Sequence, residues 1–397
     1  MLIRPVDYVK DNCMHLTNAQ LILPDAIQPG SLLIRDGFIC SLNKKSAKSV
    51  PTMDLGGGYL APGFIDLHIH GGMGRDTMEA TPEAFSTITK FHLRGGTTSL
   101  ALTTITTTEV EILRVLDAVK PLLNQSLGGS RIIGTHIEGP FISKAQAGAQ
   151  NPAFIRNPEP NEWRKYLRYG RVVTQMTLAP ENPGSLPLIK ALRKRGIIAS
   201  GGHTNAHELQ LEPALKAGLN QSTHTINAMS GCTKIGPYRR AGMIEFALAH
   251  PEIICELIAD GLHVPPTMMR MIFNAKGRDG VCLITDATLG AGLKPGTEFT
   301  LGGTAARVTP HVAEMADGTG LAGSTLTMIE AVRRSVQLAG QSLVDAVRMA
   351  SFNPARQLGR AHEIGSIHPG RRADLVWFDD KYQVRGVWID GSMLYQR

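Results

Sequence analysis

From about residue 60 to 290, short and almost uninterrupted apolar runs alternate with stretches whose apolar residues recur every three or four positions. The runs are PGFIDLH (62–68), TTSLALTT (97–104), RIIGTHI (131–137), RVVTQMTLA (171–179), GIIAS (196–200), NQSTH (220–224), EIICELIA (252–259) and GVCLITD (280–286). Helical periodicity marks 109–119, 186–195 and 325–338. Strands that are apolar on both faces need cover on both faces, which crossover helices supply in a parallel sheet. Eight such units predict an α/β fold of the (β/α)8 TIM type. An open doubly wound sheet is the alternative. It would place a GxGxxG or GxxxxGK[ST] loop after its first strand, and the chain has neither.

The two ends read differently. Residues 15–60 and the last forty are short strand-like runs broken by Gly56-Gly57-Gly58, Pro369-Gly370 and Asp390-Gly391. Neither end holds enough strands to stand alone. The expected organisation is therefore a small β-sandwich built from 1–58 and 358–397 around a barrel at 59–357.

With 397 residues, 43% hydrophobic and 19% charged, the chain can bury a large core. The net charge of +7 suits a small anionic substrate, and no basic run with interleaved aromatics suggests a nucleic-acid partner. Five cysteines without a CxxC pair argue against a disulfide framework or thiolate metal site and for a reducing compartment. The first sixteen residues carry charges where a secretory signal has its apolar centre, and no run of 18 apolar residues occurs, so a cytoplasmic, membrane-free protein is expected.

The chemistry lies where those strands end. His68 and His70 close the first, Glu138 follows the third, His203 the fifth, His224 ends the sixth, His263 follows the seventh and Asp286 ends the eighth. In a parallel barrel these positions converge on one rim. Each has a plainer reading alone: an accidental HxH, a helix-capping glutamate, a turn histidine, a core histidine. Together they offer nitrogen and carboxylate ligands for one or two divalent ions. His136 shares a face with Glu138 but is read as structural. His15, His92, His207, His250, His311, His362 and His368 are read as surface or packing residues.

The motifs PGFIDLHIHGG (62–72), THIEGPFI (135–142), SGGHT (200–204), THTINAMS (223–230), ADGLHV (259–264), LITDAT (283–288) and GLAGSTLTM (320–328) resemble, in order, those of the N-acetylglucosamine-6-phosphate deacetylase family within the amidohydrolases. The resemblance runs from about residue 55 to 376. It implies a barrel with a small terminal β domain, a homodimer, and deacetylation of an N-acetyl amino-sugar 6-phosphate. By motif, Glu138, His203 and His224 match the principal metal ligands and His68 and His70 those of a second ion. Asp286 matches the catalytic aspartate, with His263 or a second ion stabilising the oxyanion. Asn227, Ala228, His263, Arg239, Leu321, Ala322 and Gly323 match sugar-phosphate contacts. Zn2+ is the expected ion, with Fe2+ or another divalent ion as alternatives.

Two departures stand out. The family's Arg-Glu-Pro-Gly reads here Arg239-Arg240-Ala241-Gly242, after about four extra residues, so either arginine suits the phosphate. The family's histidine after EGPF is Gln150 here, within Gly148-Ala149-Gln150-Asn151-Pro152, and Ala149 and Gln150 are expected to meet substrate. Glutamine donates a hydrogen bond but cannot carry positive charge. That keeps N-acetylgalactosamine 6-phosphate in play as the substrate. Two rivals are a cyclic-amide amidohydrolase, which would use a modified lysine where Glu138 stands, and a catalytically silent scaffold, which would have lost ligands.

Overall fold

The computed structural model describes residues 13–44, 47–310, 312–318 and 320–397. The signal-segment reading of residues 1–12 and the placement of His311 lie outside that range.

Eight strands form the parallel ring: Phe64–Ile69, Thr97–Thr103, Arg131–Glu138, Val173–Leu178, Ile198–Gly201, Gln221–Ser222, Ile254–Ile258 and Val281–Ile284, each paired with its neighbour in that order. The eighth returns to the first through the Ile69–Ala287 bridge and the Asp286 N–H donating to His68 O at 2.9 Å. Every expected strand has a counterpart, and every residue of the first three is buried. Strands enclosed by neighbours and helices have no wet face, which is why their sequences lack alternation.

Helices Glu109–Val119, Ser185–Arg193 and Met328–Ala339 cover the ring at the three stretches of helical periodicity. The last starts three residues later than expected. Ser324 is bridged to Ala287 and Thr327 is extended as the N-cap, so 325–327 belongs to the barrel rim rather than the helix.

The terminal strands form one continuous mixed sheet. Tyr59–Pro62 pairs antiparallel with Leu375–Phe378 and so joins the two ends of the chain. The sheet thus extends past residue 58, and Gly63, whose N–H donates to Asp374 O, is where the barrel begins. Leu16, Leu32, Ile34, Leu60, Leu375 and Trp388 share its core. Val376, Phe378, Val387 and Ile389 of this sheet pack into the barrel's own core, and an ionic link adds to that: the buried Arg131, at the start of the third barrel strand, bonds Asp374 at 2.5 Å and Asp390 at 2.9 Å. These contacts lie at the N-terminal ends of the strands, leaving the opposite rim to the loops.

Two unforeseen elements decorate that rim. One is a hairpin, Thr233–Ile235 with Tyr238–Arg240. The other is a three-stranded sheet, Glu298–Leu301, Thr304–Val308 and Ala313–Met315, packed on Leu301, Ala306, Ala313 and Ala322.

Candidate active site

Strand alternation places His68 and His70 on one side of the first strand, directed into the mouth of the ring. Glu138 ends the third strand, and His203, His224 and Asp286 follow theirs in the left-handed backbone region, with φ of 46°, 29° and 50°. Non-glycine residues held there cost about 1–3 kcal/mol each and cluster at functional sites, because the turn re-aims the side chain.

The result is a compact buried cluster. Glu138 Oε1 lies 3.3 Å from His203 Nε2, 3.1 Å from His224 Nε2 and 3.5 Å from His68 Nε2, while Oε2 lies 3.2 Å from His70 Nε2. The ring nitrogens also crowd one another: His68 Nε2 to His70 Nε2 is 3.3 Å and His203 Nε2 to His224 Nε2 is 3.1 Å. Asp286 Oδ1 is 3.4 Å from His68 Nε2 and 3.3 Å from His70 Nε2.

These contacts fit divalent ions. Two facing imidazole nitrogens repel when both hold lone pairs or both hold protons, so a shared cation resolves the pair. Tetrahedral ligation at ~2.0–2.1 Å sets neighbouring ligand atoms about 3.3 Å apart, close to the spacings seen. Two ligand groups are present, His68-His70-Glu138 and Glu138-His203-His224, with Glu138 common to both. Electrostatics agree. Burial opposes charge on His68 and His70, yet the carboxylates of Glu138 and Asp286 outweigh it and raise both. Burial likewise pushes Glu138 and Asp286 up, but the histidines hold both below the ordinary carboxylate range. The cluster is short of positive charge.

Outer contacts orient two of the rings. His68 Nδ1 lies 3.2 Å from Glu256 Oε2, and His203 Nδ1 lies 2.8 Å from Gln146 O. Glu256 is a member of the site that the motifs leave out. It sits fully buried inside the barrel, where Gln175 and Gln221 donate to its Oε1 at 2.9 and 2.8 Å. A charge in the middle of the apolar run EIICELIA is the signal that points to it, because such a group needs partners to stay buried. His136 is held by Thr103 and Thr177 and meets His68 edge to face, with centroids 4.4 Å apart. His92 is buried with Nε2 3.0 Å from Gly71 O, and burial lowers its pKa to about 4.

A cavity of about 310 Å3 opens above the cluster. Of the residues expected to meet substrate, Ala149, Gln150, Asn227, Ala228, His263, Leu321 and Gly323 line it, as does Asp286. Two do not. Ala322 turns into the core of the three-stranded sheet, and its N–H donates to Ala313 O. Arg239 lies exposed on the hairpin, with Arg240 half-buried beside it, and neither lines the cavity. The extra residues before them build the hairpin that carries them outward. Ile105, Asn151, Thr288, Leu301, Gly302 and Met315 complete the wall. Leu301, Gly302 and Met315 come from the unforeseen sheet, whose short strands lack a clear period. Among the described residues, no lysine or arginine lines the cavity.

Comparison with known proteins agrees with this geometry. The amidohydrolase family model matches residues 59–394. The chain is 38% identical over 359 residues to the N-acetylglucosamine-6-phosphate deacetylase of Bacillus subtilis, covering 89% of each. It is 36% identical over 396 residues to the N-acetylgalactosamine-6-phosphate deacetylase of Shewanella sp. (strain ANA-3), covering 98% of this chain and 96% of that one. Among solved structures, the N-acetylglucosamine-6-phosphate deacetylase of Pasteurella multocida superposes with a TM-score of 0.90 at 30% identity, covering 97% of this chain and 100% of the other.

Proposed function

The chain belongs to the amidohydrolase family, among the N-acetylglucosamine-6-phosphate deacetylases, and on that premise we propose how its residues remove acetate from an N-acetyl amino-sugar 6-phosphate. The observation that carries the reading is Glu138 shared between two histidine pairs, with Asp286 beside them. Glu138, His203 and His224 would hold a divalent ion, and His68 and His70 with Glu138 a second; bound there, such an ion would acidify a water and polarise the acetamide carbonyl. Asp286, kept ionised by the neighbouring imidazoles, accepts the proton of the attacking water and returns it to the departing nitrogen. Asn227, Ala228, Leu321 and Gly323 shape the sugar subsite. Zinc is the proposed ion, since the donors are imidazole and carboxylate.

The phosphate calls for a cation, and the described wall of this cavity offers none. We assign that role to the hairpin arginines, Arg239 first, reaching a second copy's cavity in a homodimer. The five free cysteines suit a reducing cytoplasm. Among the described residues, no helix is long and apolar enough to cross a membrane.

The test is acetate release from N-acetylglucosamine 6-phosphate and its galacto epimer, with the gluco compound proposed as preferred. Asp286→Asn should lower kcat by about 10²–10⁴-fold, the usual worth of an acid/base group. Its metal content should stay at the wild-type level. Turnover near wild type in that variant would overturn the assignment of Asp286.

A further inference from the structure

His263 lines the cavity, and what holds it is a buried carboxylate three residues earlier. Asp260 is 4% exposed and follows the seventh barrel strand, Ile254–Ile258. Its Oδ1 accepts from the backbone N–H groups of Leu262 and His263, each at 2.8 Å, and its Oδ2 lies 2.6 Å from His263 Nδ1. The two oxygens therefore do different work. Oδ1 closes the 260–263 turn, and Oδ2 meets the ring. The Asp260 carbonyl is itself fixed by the Arg334 guanidinium at 2.5 Å, so the turn is anchored from the helix Met328–Ala339.

A carboxylate only accepts hydrogen bonds. The hydrogen between Oδ2 and Nδ1 therefore belongs to the ring, and the second nitrogen, Nε2, is left for the cavity. Among the described residues it has no hydrogen-bond partner. A histidine's free nitrogen is set by the bond that its other nitrogen makes. We propose that Asp260 is a positioning residue that fixes the proton of His263 on Nδ1 and presents Nε2 to the substrate. In the neutral ring Nε2 is an acceptor, suited to a sugar hydroxyl or amide N–H. With its one proton on Nδ1, the neutral ring cannot donate from Nε2. The kinetic part of this proposal rests on the deacetylase reading; the protonation part does not.

The discriminating variant is Asp260→Asn. It keeps an oxygen at Oδ1 for the two backbone donors, so the turn survives, and it replaces Oδ2 by an NH2 group that forces Nδ1 to accept. Histidine-selective ¹⁵N NMR of the metal-loaded protein, with His263 assigned by loss of its signals in His263→Gln, reads the proton position directly. In the wild type Nδ1 should be protonated and Nε2 bare; in Asp260→Asn the two should exchange. Metal content and Tm should match the wild type, while kcat/KM falls about 10- to 100-fold, the range for losing a hydrogen bond to a charged group. The Asp260→Asn/His263→Gln double variant should be no slower than His263→Gln alone, because Asp260 acts only through that ring. A bare Nδ1 in the wild type overturns the proposal, as do additive losses in the double variant. If Asp260→Asn fails to fold, the wild-type spectrum decides by itself. A wild type that releases no acetate from either hexosamine 6-phosphate sinks the deacetylase reading and leaves the NMR result standing.

Discussion

Gln150 engages both ends of its amide within the protein. Its Oε1 accepts from the Thr106 N–H at 2.7 Å and its Nε2 donates to Glu138 Oε2 at 2.6 Å. The sequence pattern points it at the substrate, with a bias on the choice of epimer. Gln150 does line the cavity, and the geometry also directs it to the carboxylate that both candidate ligand groups share. Outer contacts of this kind set ligand orientation, and losing one typically lowers metal affinity about 10- to 100-fold. Gln150→Leu should show a loss of that order in competition with a chelator, with the gluco-to-galacto ratio of kcat/KM unchanged. A shifted ratio at full metal affinity would return Gln150 to the substrate. At this scale the clustering of the candidate ligands is legible in the chain because strand ends fall at the rim and a period of two fixes which residues share a face. Gln150's partners are not legible, since a loop's side-chain direction follows from turns such as Gly148, at φ 56°. Asp260 is hidden for a related reason: its role depends on a tight turn, which spacing alone does not specify.

Among the elements, all eight barrel strands are readable, since continuous apolar runs broken by turn residues suit buried parallel strands and little else. The pieces missed are the hairpin at 233–240 and the sheet at 298–315, whose strands of three to five residues are too short to show a period. The sheet lines the cavity, so the cavity wall is less legible than the cluster of candidate ligands. The hairpin leads to a prediction about pairs of chains. If Arg239 serves a second copy's cavity, Arg239→Ala and Asp286→Asn homodimers should each be weak. A mixed dimer unites the intact hairpin of one with the intact Asp286 of the other. Mixing the two after subunit exchange should therefore restore turnover at low substrate above the sum of the separate preparations. Absence of recovery, with exchange verified by mass, would show that the arginines act within their own subunit or not at all. Recovery with Arg240→Ala but not Arg239→Ala would reassign the phosphate contact between the two.

At the scale of the whole molecule, charge adds to apolar packing in fastening the terminal sheet to the barrel. Glu363 lies 2.9 Å from Arg360 and 2.7 Å from Arg372, and Arg372 also pairs with Asp390 at 2.6 Å. Burial would raise the Glu363 pKa, but the two guanidinium groups outweigh it and hold it at about 2, against an ordinary 4.5. A depressed folded-state pKa means the unfolded chain binds the proton first. The stabilisation is therefore present above pH 4.5 and is lost as pH falls from there toward about 2. Glu363→Gln should lower Tm relative to the wild type at pH 7, and the gap should narrow steadily below pH 4.5. A gap independent of pH would mean that packing, not charge, is what Glu363 contributes.

The pairing of Tyr59–Pro62 with Leu375–Phe378 also has a consequence in time. A ribosome delivers the first of these strands early and its partner only after the entire barrel has been made. Throughout synthesis the N-terminal strands keep an open edge beside apolar residues such as Leu60 and Leu21, the kind of edge that recruits other chains. The nascent protein therefore passes through a long interval in which its barrel can close but its terminal sheet cannot. Chains truncated just before residue 375 should hold that state permanently, with the histidine and carboxylate rim assembled at one end and an unsealed sheet at the other.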